Sequence, residues 1–292
     1  MDSRKAGFLM GLLGVMMFSA KAVMVKKAYA FEIDSVSLLL LRMLFALPIY
    51  LVLATIQFAK QVPKVNSLDY VWLFFFGFIG YYLASYFDFQ GLVYIKAGLE
   101  RIILFVYPTL VIVFSAVIFR TKITKVQLMA IVVTYLGIMI AYAGELDFSG
   151  ENGLKGAGLI FMSAICYAGY LVGSGWLIPK FGASIFTSLA MIVSCLCVTV
   201  HYFLNSSESL WCYPMEVYIL GIFMAIVSTV IPSYLISAAI KVIGAPSFSI
   251  IGSVGPVSTI ILAYFIIGES FSVWQGVGTA LVIIGVWLVS KK

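Results

Sequence analysis

Residues 97–142 read AGLERIILFVYPTLVIVFSAVIFRTKITKVQLMAIVVTYLGIMIAY, and residues 245–290, lying 148 positions further on, read APSFSIIGSVGPVSTIILAYFIIGESFSVWQGVGTALVIIGVWLVS. Aligned without a gap, Ala97 meets Ala245, Ile102 and Ile103 meet Ile250 and Ile251, and Val106 meets Val254. Pro108 meets Pro256, Ile112 meets Ile260, Ile118 meets Ile266, Gln127 meets Gln275 and Gly137 meets Gly285. Shared apolar composition supplies some of these matches by chance, but not the gapless register. Nor does it supply the common layout: an apolar helix with a central proline, a short polar break, then a second apolar helix with a late glycine. A repeat on this scale fixes the architecture before any single motif does.

The 292-residue chain is 63% hydrophobic and 10% charged, with a mean hydropathy of +1.12. A soluble globule of this length needs a far more polar surface, so most of the chain faces lipid or buried helix partners. The net charge of +6 sits in short gaps between apolar runs rather than on a stripe, which argues against nucleic acid as a partner. Cys166, Cys195, Cys197 and Cys212 form no CxxC or Cys/His ligand set and read as small packing residues. The first apolar run is long, lacks a small-residue cleavage site and is interrupted by Lys21, so it reads as a retained transmembrane helix rather than a signal peptide.

About 20 apolar residues cross a bilayer as a helix. Such runs lie at 6–25, 36–57, 70–92, 97–119, 126–143, 155–176, 184–204, 216–240, 245–267 and 273–290. Lys and Arg in the connections set the orientation. With the N-terminus cytoplasmic, the inner segments hold Arg4, Lys5, Lys60, Lys64, Arg120, Lys122, Lys125, Lys180, Lys241, Lys291 and Lys292. The outer ones hold only Lys26, Lys27, Lys96, Arg101 and Lys155. Both termini are therefore expected in the cytoplasm. The repeat divides the chain into 1–146 and 147–292, and five helices per half force the second half in upside down. The predicted fold is all-α and integral to the membrane: ten transmembrane helices as two inverted five-helix repeats.

Ionisable residues within a membrane are costly and face a cavity or each other. Lys21, Arg42, Asp88, Glu100 and Arg101 all fall in the outer third by this topology, and their counterparts in the second half (Tyr170, Met191, Ile236, Phe248 and Ser249) are uncharged. One reading is snorkelling plus structural ion pairs, for instance Arg42 with Asp88 or Glu100. The other is an external pathway mouth whose leftover cation favours an anionic group on the substrate. Arg42, the deepest, is the leading candidate because guanidinium grips a carboxylate bidentately, and Asp88 or Glu100 is a candidate for a coupling proton. Pro108 and Pro256, near the middle of the fourth and ninth runs, are candidate kinks or hinges. Tyr82, Tyr107, Tyr170 and Tyr234 are candidate pathway rings against a background of packing aromatics. Gly7-x-x-x-Gly11 and Gly169-x-x-x-Gly173 have the spacing of close helix contacts. His201 reads as an interfacial residue. HExxH, GxSxG, P-loop and paired-carboxylate signatures are missing, so neither an enzyme nor a cofactor or metal is expected.

Leu41-Arg42-Met43, the proline-centred fourth and ninth runs, and the ending Gly268-Glu269 with Gly276-x-Gly278 and Gly285 resemble the EamA family of the drug/metabolite transporter superfamily. The resemblance covers nearly the whole chain. It implies a bacterial inner-membrane carrier with a central cavity between its halves, often an exporter of amino acids or related metabolites. Two features depart from the family pattern. Thr121 stands where the first half would carry the acidic residue that Glu269 supplies in the second. Glu100 and Arg101 stand where many relatives have small or apolar residues. The expected protein is a secondary transporter for a small zwitterionic or anionic metabolite, a monomer or weak homodimer in the lipid bilayer. The alternatives are a non-transporting receptor or scaffold, and a channel, which lacks a filter repeat.

Overall fold

In hydrocarbon a backbone must satisfy its own N–H and C=O groups, and long apolar runs do so as helices. The computed structural model describes residues 3–141, 152–205, 210–267 and 272–290, and every regular element among them is a helix. The first half holds α1 (Ser3–Tyr29), α2 (Ser35–Lys60), α3 (Ser67–Gly77), α4 (Ala84–Tyr94), α5 (Ala97–Leu104), α6 (Tyr107–Phe119) and α7 (Lys125–Ala141). The second holds α8 (Gly153–Phe181), α9 (Ala183–Asn205), α10 (Met215–Ala225), α11 (Ile231–Ile243), α12 (Ala245–Ile251), α13 (Val254–Ile267) and α14 (Val273–Ser290). A π-helical turn at Phe78–Leu83 joins α3 to α4, and another at Ile226–Val230 joins α10 to α11.

Seven stretches are long and apolar enough to cross a membrane: Arg4–Tyr29, Ser35–Lys60, Ser67–Tyr94, Leu99–Phe119, Gly153–Phe181, Ala183–Leu204 and Met215–Ile243. The other three predicted runs also fall on helices but are shorter or broken: α7, α14, and the pair α12–α13, parted at Gly252 and Ser253. The chain is an all-helical, multi-pass membrane protein, with seven crossings supported by length where ten were expected.

Polar residues punctuate the apolar runs. Asp34 caps α2, its Oδ1 accepting from the Val36 and Ser37 N–H groups at 2.9 Å each. Asn66 and Asp69 form a capping box on α3, and Asp69 also takes the Lys180 ammonium at 2.5 Å. Gly244 (φ +77°) ends α11 in a backbone conformation that side-chain-bearing residues avoid.

The packing pattern exchanges the two halves. In the first half α1 lies on α11 and α13; its counterpart α8 lies on α4 and α6. The pairs α2 with α9, and α7 with α14, map onto themselves. Small residues let these contacts close. A methyl at Gly278 would overlap the Gly137 carbonyl oxygen, and one at Gly137 would come within 2.7 Å of the Gly278 oxygen. Gly7 faces Val242 and Gly11 faces Ala239, so α1 and α11 run antiparallel. Asp69 meets Lys180 at one end and Tyr94 meets Lys155 at the other, so the α3–α4 stretch and α8 are antiparallel as well.

Candidate functional site

Lys21 late in α1, Arg42 early in α2, Asp88 in α4, and Glu100 and Arg101 in α5 converge, none more than 4% exposed. Charges removed this far from water demand partners, and each cation has a specific one. The Lys21 ammonium donates to Asp88 Oδ2 at 2.6 Å and lies 4.8 Å from the Phe18 ring centre. Arg42 donates from Nη2 to Ser85 Oγ at 3.0 Å, and its guanidinium lies 4.9 Å from the Phe89 ring centre. Arg101 Nε is 3.0 Å from Glu100 Oε2, and its Nη2 reaches the Ser19 carbonyl at 3.5 Å.

Lys21, rather than Arg42, is therefore the direct partner of Asp88. Sequence placed the charges at one depth, but spacing along three helices does not say which side chain reaches farthest.

Below the charges two broken helices meet. The helix breaks at Phe105 and Val106, where the Val106 N–H turns to the Ile103 carbonyl three residues back, and Pro108 then stands in the first turn of α6. Proline lacks the N–H that would reach the Leu104 carbonyl, and its fixed φ suits a helix start. In the second half Gly252 and Ser253 form the break, and Pro256 stands in the first turn of α13. Each proline, a candidate kink or hinge from sequence, thus opens a new helix after a two-residue interruption. The breaks touch: a Cβ on Gly252 would overlap the Tyr107 hydroxyl.

Two small cavities adjoin this junction. One, of about 30 Å³, is bordered by Arg101, Ser19, Tyr107, Gly252 and Pro256. The other, of about 20 Å³, is bordered by Lys21, Ser85, Ser163 and Gly80. Phe18, Leu104 and Tyr167 wall both. Each has room for a water or two. A larger void of about 630 Å³ lies among Trp72, Phe76, Phe114 and Trp176. Its walls are almost wholly apolar, which suits lipid chains and not a polar metabolite.

A family model described as the EamA-like transporter family matches the chain twice, over residues 5–143 and 154–291. The chain belongs to the EamA-like transporter family. "Uncharacterized transporter YcbK" of Bacillus subtilis (strain 168) is 29% identical over 278 residues, covering 94% of this chain and 89% of that protein. "Uncharacterized transporter YyaM" of the same organism is 27% identical over 79% of this chain and 75% of its own. An "Uncharacterized transporter" of Archaeoglobus fulgidus is 23% identical over 80% of this chain and 79% of its own. A solved structure described as "Crystal structure of protein" superposes with a TM-score of 0.78 at 15% identity, covering 97% of this chain and 96% of that one. That last likeness shows the fold alone.

Within this EamA-like fold the sequence candidates separate. Lys21, Asp88, Glu100 and Arg101 share the buried cluster, with Arg42 behind Asp88. Tyr107 borders the cavity beside Arg101, and Tyr170 stacks on Tyr167 at 6.3 Å between ring centres. Tyr82 is elsewhere, hydrogen bonded to His201 Nδ1 at 2.9 Å. Tyr234 is also apart, bonded to Ser188 at 2.6 Å beside Tyr50. Glu269 lies outside the described residues. Phe18 and Ser19 were not among the candidates, and Tyr167 was one of the background aromatics. Phe18-Ser19-Ala20 resembles Tyr167-Ala168-Gly169 at an offset of 149, and that correspondence is the signal the sequence offers for them.

Proposed function

We propose that this EamA-like membrane protein is a secondary transporter that carries a small anionic or zwitterionic metabolite by alternating access. Residues 1–146 and 147–292 would be inverted five-segment repeats that rock about the junction of the α5–α6 and α12–α13 breaks. The observation that carries this reading is the buried cluster itself: three cations against two carboxylates, with Arg101 and Lys21 each bordering a water-sized cavity. One excess positive charge favours an anionic group on the cargo. The exchange of packing partners, the two antiparallel contacts and the double family match support the inverted repeat.

The cavities are too small for a metabolite as they stand, so cargo enters through a rearrangement. Arg101, which borders the cavity, is better placed to meet it than Arg42, which is held by Ser85 and Phe89. The Lys and Arg distribution favours both termini on the inner side of a prokaryotic cytoplasmic membrane. Amino acids as cargo are favoured by family resemblance.

Counterflow in proteoliposomes loaded with a panel of amino and organic acids tests the proposal. Saturable exchange that is lost on Arg101→Ala and retained on Tyr82→Phe is the expected result. Flux linear in concentration would make the protein a channel. Saturable binding without flux would make it a receptor.

A further inference from the structure

Asp88 and Glu100 come from different helices, yet their carboxyl groups meet within hydrogen-bonding reach. Lys21 satisfies Asp88 Oδ2, but among the described residues no donor reaches Asp88 Oδ1 or either oxygen of Glu100. Arg101 Nε is near Glu100 Oε2 by distance, but the alignment makes no hydrogen bond. Ionised carboxylates only accept, so this contact sets two negative groups together and strands buried lone pairs. One proton removes the repulsion and pairs two of the three stranded oxygens. It makes one carboxyl the donor and the other its acceptor.

We propose that Asp88 and Glu100 hold a single exchangeable proton between them and form the proton-coupling site of the carrier. The coupling half rests on the transport reading; the proton site does not. Glu100 is the carrier of the proton, because Asp88 keeps the aligned Lys21 ammonium as its counter-ion. The step is a proton from the open aqueous side adding to the Glu100 carboxylate, and the same proton leaving to the other side later.

The groups facing the pair explain why it takes one proton rather than two. They are Lys21, Lys26 and Tyr29 on α1, Arg42 on α2, and Arg101 on α5, with Tyr107 on α6 and Tyr167 on α8 beside Arg101. The cations offset the charge of an ionised Asp88, Lys21 lying 2.6 Å from its Oδ2. They also link the proton to cargo. With both carboxylates ionised, the five-residue cluster carries one excess positive charge; the proton makes it two, and an anionic group arriving at Arg101 restores one. Proton and anion therefore favour each other's arrival.

Two measurements on the full-length protein in detergent, both without substrate, test the proton site. In pH-difference infrared spectra the native protein shows a carbonyl band of a buried carboxylic acid that titrates, and E100Q loses it. Dicyclohexylcarbodiimide, which attacks protonated carboxyls in apolar surroundings, modifies Glu100 in the native protein, and the labelling falls as pH rises. The labelling is located by peptide mass spectrometry and needs no variant, so it decides even if E100Q fails to fold. A band undiminished in E100Q, or labelling confined to other carboxyls, overturns the proposal. Either result would leave the transport reading to stand or fall on counterflow.

Discussion

Neutralising Asp88 is the sharpest test of the buried cluster, because the structure says what each variant leaves behind. At 2.6 Å, with an effective dielectric constant of about 20, the gross attraction between Lys21 and Asp88 is about 6 kcal/mol. Taking two ions out of water costs several kcal/mol each, so the intact pair contributes little net stability. A lone survivor retains its own desolvation cost with no attraction to offset it. Asp88→Asn leaves Lys21 buried with Arg42 and Arg101 nearby and only Glu100 to balance them. We expect a loss near the upper end of the about 3–5 kcal/mol typical of broken buried pairs. Lys21→Met leaves Asp88 with the Arg42 charge still close, which places that variant near the lower end. The double variant removes both charges and should lie within about 1 kcal/mol of the native protein. Thermal unfolding in detergent, followed with a fluorogenic maleimide that reaches the buried Cys166 and Cys195 only on unfolding, reads this cycle. The reasoning is refuted if either single variant melts with the native protein, or if the double variant melts below both singles.

Other expectations concern the helix contacts and the energy source. Gly252→Ala should cost about 1–3 kcal/mol by forcing a methyl against the Tyr107 hydroxyl, and adding Tyr107→Phe should recover part of it; the same melting assay checks both. Gly278→Ala should lower the melting temperature through its clash with Gly137, whereas Gly158→Ala, with nothing within 4 Å of the new methyl, should hold or raise it. Tyr82→Phe loses one partly exposed hydrogen bond to His201 and should cost under about 1 kcal/mol. In proteoliposomes, uptake of whichever metabolite exchanges should rise when its own side is acidified and fall when a protonophore is added; uptake indifferent to the gradient would count against coupling.

The helical runs were legible because a bilayer leaves the backbone few choices. Length was harder to read. Residues 245–267 look like one apolar run, but the small residues Gly252 and Ser253 interrupt it, and the interruption shows only once Tyr107 is seen seated against Gly252. The convergence of five charges was legible because Lys21 and Asp88 come late in their runs and Arg42, Glu100 and Arg101 early in theirs, which brings all five to one end of successive antiparallel helices. Their pairing was not, because it depends on helix rotation: Arg42 turns to Ser85 and Phe89, which leaves Asp88 to Lys21. The contact between Asp88 and Glu100 was equally hidden. They are separated by the end of α4 and a short connection, and nothing in one-dimensional spacing tells whether the chain turns them together.

The π-helical turns have a consequence for the history of the chain. Phe78 and Ile226, where they begin, are separated by the same 148 positions as the two copies of the sequence repeat. A π turn amounts to one extra residue accommodated in a helix, an uncommon event. Two such events at one register are more simply inherited than acquired twice, which dates the insertion to an ancestral half-length chain. The charged cluster, by contrast, has no counterpart in the second half. The descendant kept the ancestor's irregular scaffold in both copies and specialised only one of them.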